Sequence, residues 1–150
     1  MDLILWRHAD AEDGERDLER RLTKKGRDQA ARVGTWLNAH LPPATSVLAS
    51  PAERALETAR AAGRPFKSVA ALAPGASVAA VLSAAQWPNA RDPVLIVGHQ
   101  PTLGGVVSFL IAGHEDYWTV GKGAVWWLSN RDRGGHTAVA VRLVLGPDFL

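Results

Sequence analysis

The sequence predicts an α/β fold, a three-layer sandwich in which a mostly parallel central sheet carries helices on both faces. Short apolar runs, such as residues 94–97 in DPVLIVGHQP, alternate along the chain with segments of helical periodicity. These runs lack the polar alternation of a half-exposed strand, which is typical of parallel strands covered on both faces. The 150 residues contain no internal repeat or linker, so we expect one domain over residues 1–150.

The amino-terminal third contains one short strand, a charged loop and a long helix. Residues 2–7 form the first predicted strand, and residues 9–22 are highly charged without a clear period, which predicts a loop. A helix is expected to begin after Thr23, a candidate N-cap, and to stop at Pro42 and Pro43. Its apolar residues recur at steps of three and four: Ala30, Val33, Leu37 and Leu41.

The remaining elements follow the same alternation of strand and helix. Residues 46–49 predict a second strand, and SPAERALETAR predicts a helix with Ser50 as N-cap, Pro51 at the first helical position and Glu53 completing a capping box. Arg54 then lies in the first turn, off the apolar stripe. A short helix is expected at about 77–86, a strand at 94–97, a helix at 102–112, and a terminal hairpin around NRDRGG.

Composition narrows the class of protein and of ligand. The chain has no Cys, which excludes disulfides and thiolate chemistry. We expect a cytoplasmic protein without a membrane partner, since there is no signal-peptide pattern and no apolar stretch of about 18 residues. The 17 basic residues are scattered, which does not favour nucleic acid. Thirteen are Arg, which suits an anionic ligand but would also follow from a GC-rich coding preference.

Basic side chains follow three of the predicted strands. Arg7 and His8 end the first strand, Arg54 lies in the helix after residues 46–49, and His99 follows residues 94–97. Ligands of open α/β sheets bind beyond the carboxyl ends of the strands, where these groups should meet. Helix N-termini there add backbone N–H donors for an anion. The sequence therefore predicts a compact cationic pocket, and phosphate is the ligand that fits it best.

Three segments, LILWRHAD, SPAERALETA and VGHQP, resemble the defining motifs of the histidine phosphatase superfamily, the phosphoglycerate-mutase-like group. They occur in the order of that family and span nearly the whole chain. The short length and the segment DLERRLTKKGRDQA are most similar to phosphohistidine phosphatases of the SixA type. One position departs from the pattern, since Ala9 stands where the family usually has Gly. The resemblance implies a phosphoglycerate-mutase-like fold.

The resemblance also implies a role for each matching residue. His8 would be the nucleophile that becomes phosphorylated, while Arg7, Arg54 and His99 would hold the phosphoryl oxygens. Arg20, which lies ahead of the Leu-Thr of the SixA-type motif, would be a further phosphate ligand. No metal or cofactor is expected, because these groups supply the positive charge. The same cations should lower the pKa of His8, and the neutral imidazole is the form that attacks phosphorus.

The source of a leaving-group proton stays open at this point. Larger family members carry a carboxylic acid between the second motif and the final His, but residues 65–91 contain no Asp or Glu. Asp10, Glu12 and Asp17 of the first loop, or water, are the remaining candidates. The gap favours phosphohistidine as substrate, since an imidazole leaving group titrates near neutral pH.

We therefore expect a monomeric phosphohistidine phosphatase acting on a signalling or phosphotransfer protein. Two alternatives remain, a phosphatase for a small phosphorylated metabolite and a non-catalytic phosphate-binding module. The individual residues also have simpler interpretations. His8 could be a strand-end histidine bonded to a backbone carbonyl, Arg54 could pair with Glu53 or Glu57 on its own helix, and His99 could cap a helix.

Overall fold

The architecture is described from a computed structural model of the protein. The structure describes the backbone of residues 1–150 and the side chains of residues 1–132, 134–136 and 138–150. The strands are β1 (Asp2–Arg7), β2 (Ser46–Ala49), β3 (Lys67–Ser68), β4 (Val94–Gly98), β5 (Val125–Arg133) and β6 (His136–Leu145). The α-helices are α1 (Lys24–His40), α2 (Glu53–Arg60), α3 (Val78–Ala84) and α4 (Thr102–Ala112).

The six strands form one mixed sheet in the order β3-β2-β4-β1-β5-β6. The four strands from β3 to β1 are parallel, whereas β5 runs antiparallel to β1 and forms the terminal hairpin with β6. The predicted α/β class and the mostly parallel sheet are confirmed. In the register of the parallel strands, Arg7 lies opposite Gly98 and Ala49 opposite Val97, so β1, β2 and β4 end at one edge.

The hydrophobic core lies on both faces of the sheet. Successive residues of β1 point to opposite faces, with Ile4 and Trp6 packed in the layer of α1 and α2. Leu3 and Leu5 pack in the layer that contains α3 and α4. All four side chains are completely buried. This double burial is why β1 lacks polar alternation, and it fixes the position of the residues that follow it.

Helix α1 begins as predicted and packs closely on the first loop. The Thr23 hydroxyl accepts a hydrogen bond from the backbone N–H of Gly26, so Thr23 is the N-cap. A Cβ at Gly26 would lie 1.9 Å from the carbonyl oxygen of Asp10, so only glycine permits this approach. The loop itself is not featureless, because Asp17–Glu19 forms a 3-10 turn and Ala11 bridges Leu22.

The predicted start of α2 is wrong. The helix begins at Glu53, its N-cap is Ala52 without a side-chain cap, and Ser50 lies ahead of it. The Ser50 hydroxyl instead bonds to His99, and Glu53 forms an ion pair with Arg60 rather than a capping box. Helix α3 is shorter than predicted at both ends. Among the described residues, no helix is long and apolar enough to cross a membrane.

Candidate active site

The register of β1 and β4 places two histidines side by side. Arg7 pairs with Gly98, so His8 and His99 are the next residues on adjacent parallel strands. The backbone N–H of His8 continues the ladder by donating to the carbonyl of Gly98 at 3.0 Å. The two ring centroids lie 5.1 Å apart, and the residues are only 7% and 4% exposed. The structure thus brings together two of the residues that the sequence singled out.

Arg54 reaches the same point from the first turn of α2. Its Nε–H donates to His8 Nε2 at 3.3 Å, and the residue is 4% exposed. Neither Glu53 nor Glu57 pairs with it, since Glu57 accepts from the backbone N–H of Leu22. The alternative of a surface ion pair within the helix is therefore wrong. Arg54 is a buried cation whose side chain is aimed at an imidazole.

Thr58 fixes α2 against the end of β1, and sequence reasoning missed it. Its hydroxyl accepts from the backbone N–H of Ala9 at 3.1 Å and donates to the carbonyl of Arg54 at 2.7 Å. The side chain is completely buried. A Thr one turn after the Arg of SPAERALETA, on the same helix face, is the signal that could have revealed it.

Arg7 lies beside the histidines and is tied to the segment before β5. Its Nη1 donates to the carbonyl of Val120 at 2.9 Å. Its buried Nε has no hydrogen-bond partner among the described residues. The same is true of His99 Nδ1, so two residues of this cluster each hold a buried nitrogen without a protein partner. A buried polar group left unpaired costs about 1–3 kcal/mol, so these two nitrogens are candidates to bond a polar ligand.

The proton of the neutral His8 ring lies on Nδ1. This nitrogen is 2.7 Å from the carbonyl oxygen of Ala9, which can only accept, so Nδ1 carries the hydrogen. His8 is thus a strand-end histidine bonded to a carbonyl, and the same bond leaves the Nε2 lone pair directed at Arg54. The pKa of His8 falls to about 4, mainly through burial and further through the charges of Arg54, Arg7 and Arg20. Burial lowers the pKa of His8 more than the neighbouring cations do, although only the cations were expected from the sequence.

His99 is also neutral near pH 7. Burial is the largest cause that lowers its pKa to about 3, followed by the positive charge of His8 when protonated and that of Arg54. Its Nε2 lies 2.7 Å from the hydroxyl of Ser50 at the end of β2. The side chain does not cap α4, although its backbone carbonyl accepts from Leu103.

Arg20 is connected to the cluster through Asp17. Arg20 Nη1 donates to Asp17 Oδ1 at 3.0 Å, and its Nε donates to the carbonyl of Glu12 at 2.7 Å. Arg54 donates to the same Asp17, from Nη1 to the carbonyl at 2.7 Å and from Nη2 to Oδ2 at 3.2 Å. Burial alone would raise the pKa of Asp17, but these hydrogen bonds and charges lower it. Asp17 is an ionised carboxylate that links both arginines.

Asp10 is ionised as well. Its carboxylate accepts from Lys122 Nζ and from the Thr23 hydroxyl, both at 2.8 Å, and these bonds lower its pKa. The Glu12 side chain is exposed, and only its backbone carbonyl contacts Arg20. Within the described part of the chain, no group of three His, Cys, Asp or Glu residues has the arrangement of a metal site. The cluster therefore combines an unprotonated imidazole nitrogen with cationic donors, a set suited to a phosphoryl group.

Comparison with known proteins also points to phosphoryl chemistry. Residues 3–75 match the model of the histidine phosphatase superfamily, branch 1, and no curated protein matches the chain. The SixA protein from Nakamurella multipartitia is 28% identical, with 97% of this chain and 95% of that chain covered and a TM-score of 0.78.

Two further SixA structures have the same TM-score of 0.78. The protein histidine phosphatase SixA complexed with tungstate is 25% identical over 99% of both chains. The SixA protein from Agrobacterium tumefaciens is 22% identical over 97% of both chains and shows the shared fold. His8, Arg7 and Arg54 all lie within the matched segment, and the fold agrees with the SixA structures along the whole length, so this chain is similar to the histidine phosphatase superfamily in its amino-terminal sequence and in its fold.

Proposed function

We propose that the protein is a phosphohistidine phosphatase that acts on a protein substrate through a phospho-His8 intermediate. The observation that carries this proposal is the state of His8. The proton of the neutral ring lies on Nδ1, which donates to the Ala9 carbonyl, so Nε2 is unprotonated. Nε2 lies 3.3 Å from Nε of the buried Arg54 guanidinium. A neutral imidazole nitrogen next to fixed cations is what attack on a phosphoryl group requires.

In the first step, Nε2 of His8 attacks phosphorus, the P–N bond of the substrate breaks, and the substrate imidazole leaves as a neutral ring after taking a proton from solvent. Negative charge spreads over the three equatorial oxygens, so catalysis depends mainly on positioned positive charge. Arg7 and Arg54 supply that charge, and His99 Nδ1 is a buried nitrogen at the same site. Arg20 supports the site from the solvent side through Asp17. In the second step, water releases phosphate from His8 and restores the free imidazole.

The ionisation of the nearby carboxylates favours a phosphohistidine over a phosphomonoester. An alkoxide leaving group needs a proton from a protonated acid. An imidazole titrates near neutral pH, so solvent can protonate it and it can leave without such an acid. Asp10 and Asp17 are the carboxylates bonded to groups around the site, and both have lowered pKa values. This argues against the small-molecule phosphomonoesterase, the main alternative within the family.

The surroundings of the site are compatible with a macromolecular partner. Leu18 follows Asp17, the residue that bonds Arg54, and its apolar side chain is 54% exposed. An apolar side chain exposed beside the site is compatible with contact to a protein surface, since the cores of protein interfaces are depleted of charged residues. We propose a phosphohistidine-bearing signalling or phosphotransfer protein as the substrate.

The test compares a phosphohistidine-bearing phosphotransfer protein with simple phosphate monoesters. The reaction is quenched in alkali, and the chain is analysed for acid-labile phosphate on His8. The matched variant is His8→Asn, whose side-chain amide can still donate to the Ala9 carbonyl but cannot accept phosphate. We expect the phosphoprotein to be the preferred substrate, with a transient phosphoenzyme in the wild type and neither turnover nor phosphoenzyme in H8N.

Three outcomes would contradict the proposal. Turnover of monoesters alone would identify the small-molecule phosphatase. Phosphate binding without turnover or phosphoenzyme would identify the binding module. Retained turnover in H8N would remove His8 as the nucleophile.

A further inference from the structure

Ser50 is a completely buried hydroxyl in the second sequence motif, at the junction between β2 and α2. Its backbone N–H donates to the carbonyl of Val97 at 3.0 Å, which fixes the residue against β4. The hydroxyl has two neighbours, the backbone N–H of Ala52 at 3.2 Å and His99 Nε2 at 2.7 Å. Since Ser50 does not cap α2, its 2.7 Å contact with His99 needs a separate explanation.

The hydrogen of the hydroxyl can be located by accounting for donors and acceptors. The N–H of Ala52 can only donate, so Ser50 Oγ accepts there and keeps its own hydrogen. Among the described residues, the only acceptor bonded to this hydroxyl is His99 Nε2. If Nε2 carried a proton instead, the buried hydroxyl hydrogen and the Nδ1 lone pair would both lack partners. Hydrogen bonding therefore favours the ring form with its proton on Nδ1.

The position of that proton decides what His99 can do. Nδ1 is buried, has no hydrogen-bond partner in the described part of the chain, and belongs to a ring 5.1 Å from the ring of His8. An N–H there donates to a phosphoryl oxygen, whereas a bare lone pair would repel it. We propose that Ser50 is a positioning residue that holds His99 in the Nδ1–H form, so that His99 is a hydrogen-bond donor to the phosphoryl group. This role rests on the proposed function of the site.

The two histidines then have the same protonated nitrogen but opposite roles. In His8 an acceptor, the Ala9 carbonyl, holds the Nδ1 proton and leaves Nε2 as the nucleophile. In His99 a donor, the Ser50 hydroxyl, occupies Nε2 and leaves Nδ1–H for the ligand. Both rings stay neutral at pH 7 because burial lowers their pKa values. Backbone and hydroxyl partners thus divide the nucleophile and donor functions between chemically identical side chains.

The first measurement is independent of catalysis. In the full-length protein labelled with ¹⁵N-histidine, long-range ¹H–¹⁵N correlation spectra report which nitrogen of His99 carries the proton. We expect Nδ1–H in the wild type and a change towards Nε2–H in Ser50→Ala. The matched control is Ser108→Ala, which removes another completely buried serine hydroxyl, bonded to the His114 carbonyl, and should leave His99 unchanged. A wild-type proton on Nε2 would overturn the proposal.

The second measurement follows binding and turnover in the same variants. S50A should bind inorganic tungstate at least about tenfold more weakly, as expected for a lost hydrogen bond to a charged ligand, while S108A keeps wild-type affinity. Ser50→Thr, which keeps the hydroxyl, should restore the His99 form and the affinity; circular dichroism establishes that each variant is folded. Unchanged tungstate affinity and His99 form in folded S50A would overturn the proposal. Wild-type protein with the expected His99 form but no phosphohistidine turnover would leave the role of Ser50 supported and contradict only the proposed function.

Discussion

The buried, neutral His8 predicts a specific dependence of stability on pH. Its pKa is about 4 in the folded protein, against about 6.5 for an exposed imidazole. Between these values the unfolded chain binds more protons than the folded one, so acid favours unfolding. Above the unfolded pKa this contribution is absent. Stability should therefore fall as the pH decreases from about 6.5 towards about 4.

The magnitude follows from the pKa values. One pKa unit corresponds to about 1.4 kcal/mol, so the 1.5 pH units from about pH 6.5 to about pH 5 amount to roughly 2 kcal/mol for His8. His99, with a pKa of about 3, contributes a similar amount over the same interval. The wild type should therefore lose about 4 kcal/mol of unfolding free energy from these two residues.

The assay is urea unfolding followed by tryptophan fluorescence at several pH values, with H8N compared with the wild type. Asn cannot take up a proton in this range, so the difference between the two proteins reports the titration of His8 together with its electrostatic coupling to His99. We expect H8N to lose about 2 kcal/mol less than the wild type between about pH 7 and about pH 5. Parallel curves for the two proteins would refute the reasoning, because they would mean that His8 is not held neutral by the fold.

Two further predictions concern the packing of α4 against the segment before β5 and the role of Asp17 in the first loop. Gly104→Ala should destabilise the protein by about 1–3 kcal/mol in thermal unfolding, because its Cβ would lie 1.8 Å from the backbone oxygen of Trp118. Gly105→Ala is the control and should cost less, since its nearest neighbour is a side-chain methyl of Val78 at 3.0 Å; equal losses would contradict the argument. Asp17→Asn should keep the alkaline side of the pH–rate profile, since an ionised Asp17 cannot be the proton donor. An alkaline limb present in the wild type and absent in the variant would identify Asp17 as the acid.

The elements that sequence predicted best are those with a strong local signal. Thr23 is the N-cap of α1, as predicted. This cap is a local arrangement, because the hydroxyl accepts from a backbone N–H only three residues later in the chain. The bounds of α4 agree with the predicted 102–112, and the terminal hairpin is present. The start of α2 differs because Ser50 satisfies a longer-range partner, His99, that a reading of adjacent residues does not include.

The contacts around the predicted residues also separate into local ones, which the sequence predicts, and long-range ones, which it does not. Arg54 was placed in the first turn of α2 from its own motif, but its pairing with Asp17 depends on a loop 37 residues earlier in the chain. Thr58 anchors the helix to Ala9 for the same reason, since the two lie 49 residues apart. No periodicity or spacing within a motif encodes such contacts.

The sequence by itself determined the α/β class, the order of the elements and the strand ends that carry Arg7, His8 and His99. These depend on apolar periodicity and on short motifs, which are properties of neighbouring residues. Only the tertiary structure decided the protonation and the partners of those side chains. Burial holds both imidazoles neutral, and the Ala9 carbonyl and the Ser50 hydroxyl settle which ring nitrogen bears the hydrogen. The burial of the rings and the hydrogen-bond partners of their nitrogens depend on atoms that are distant in the chain and meet only after folding.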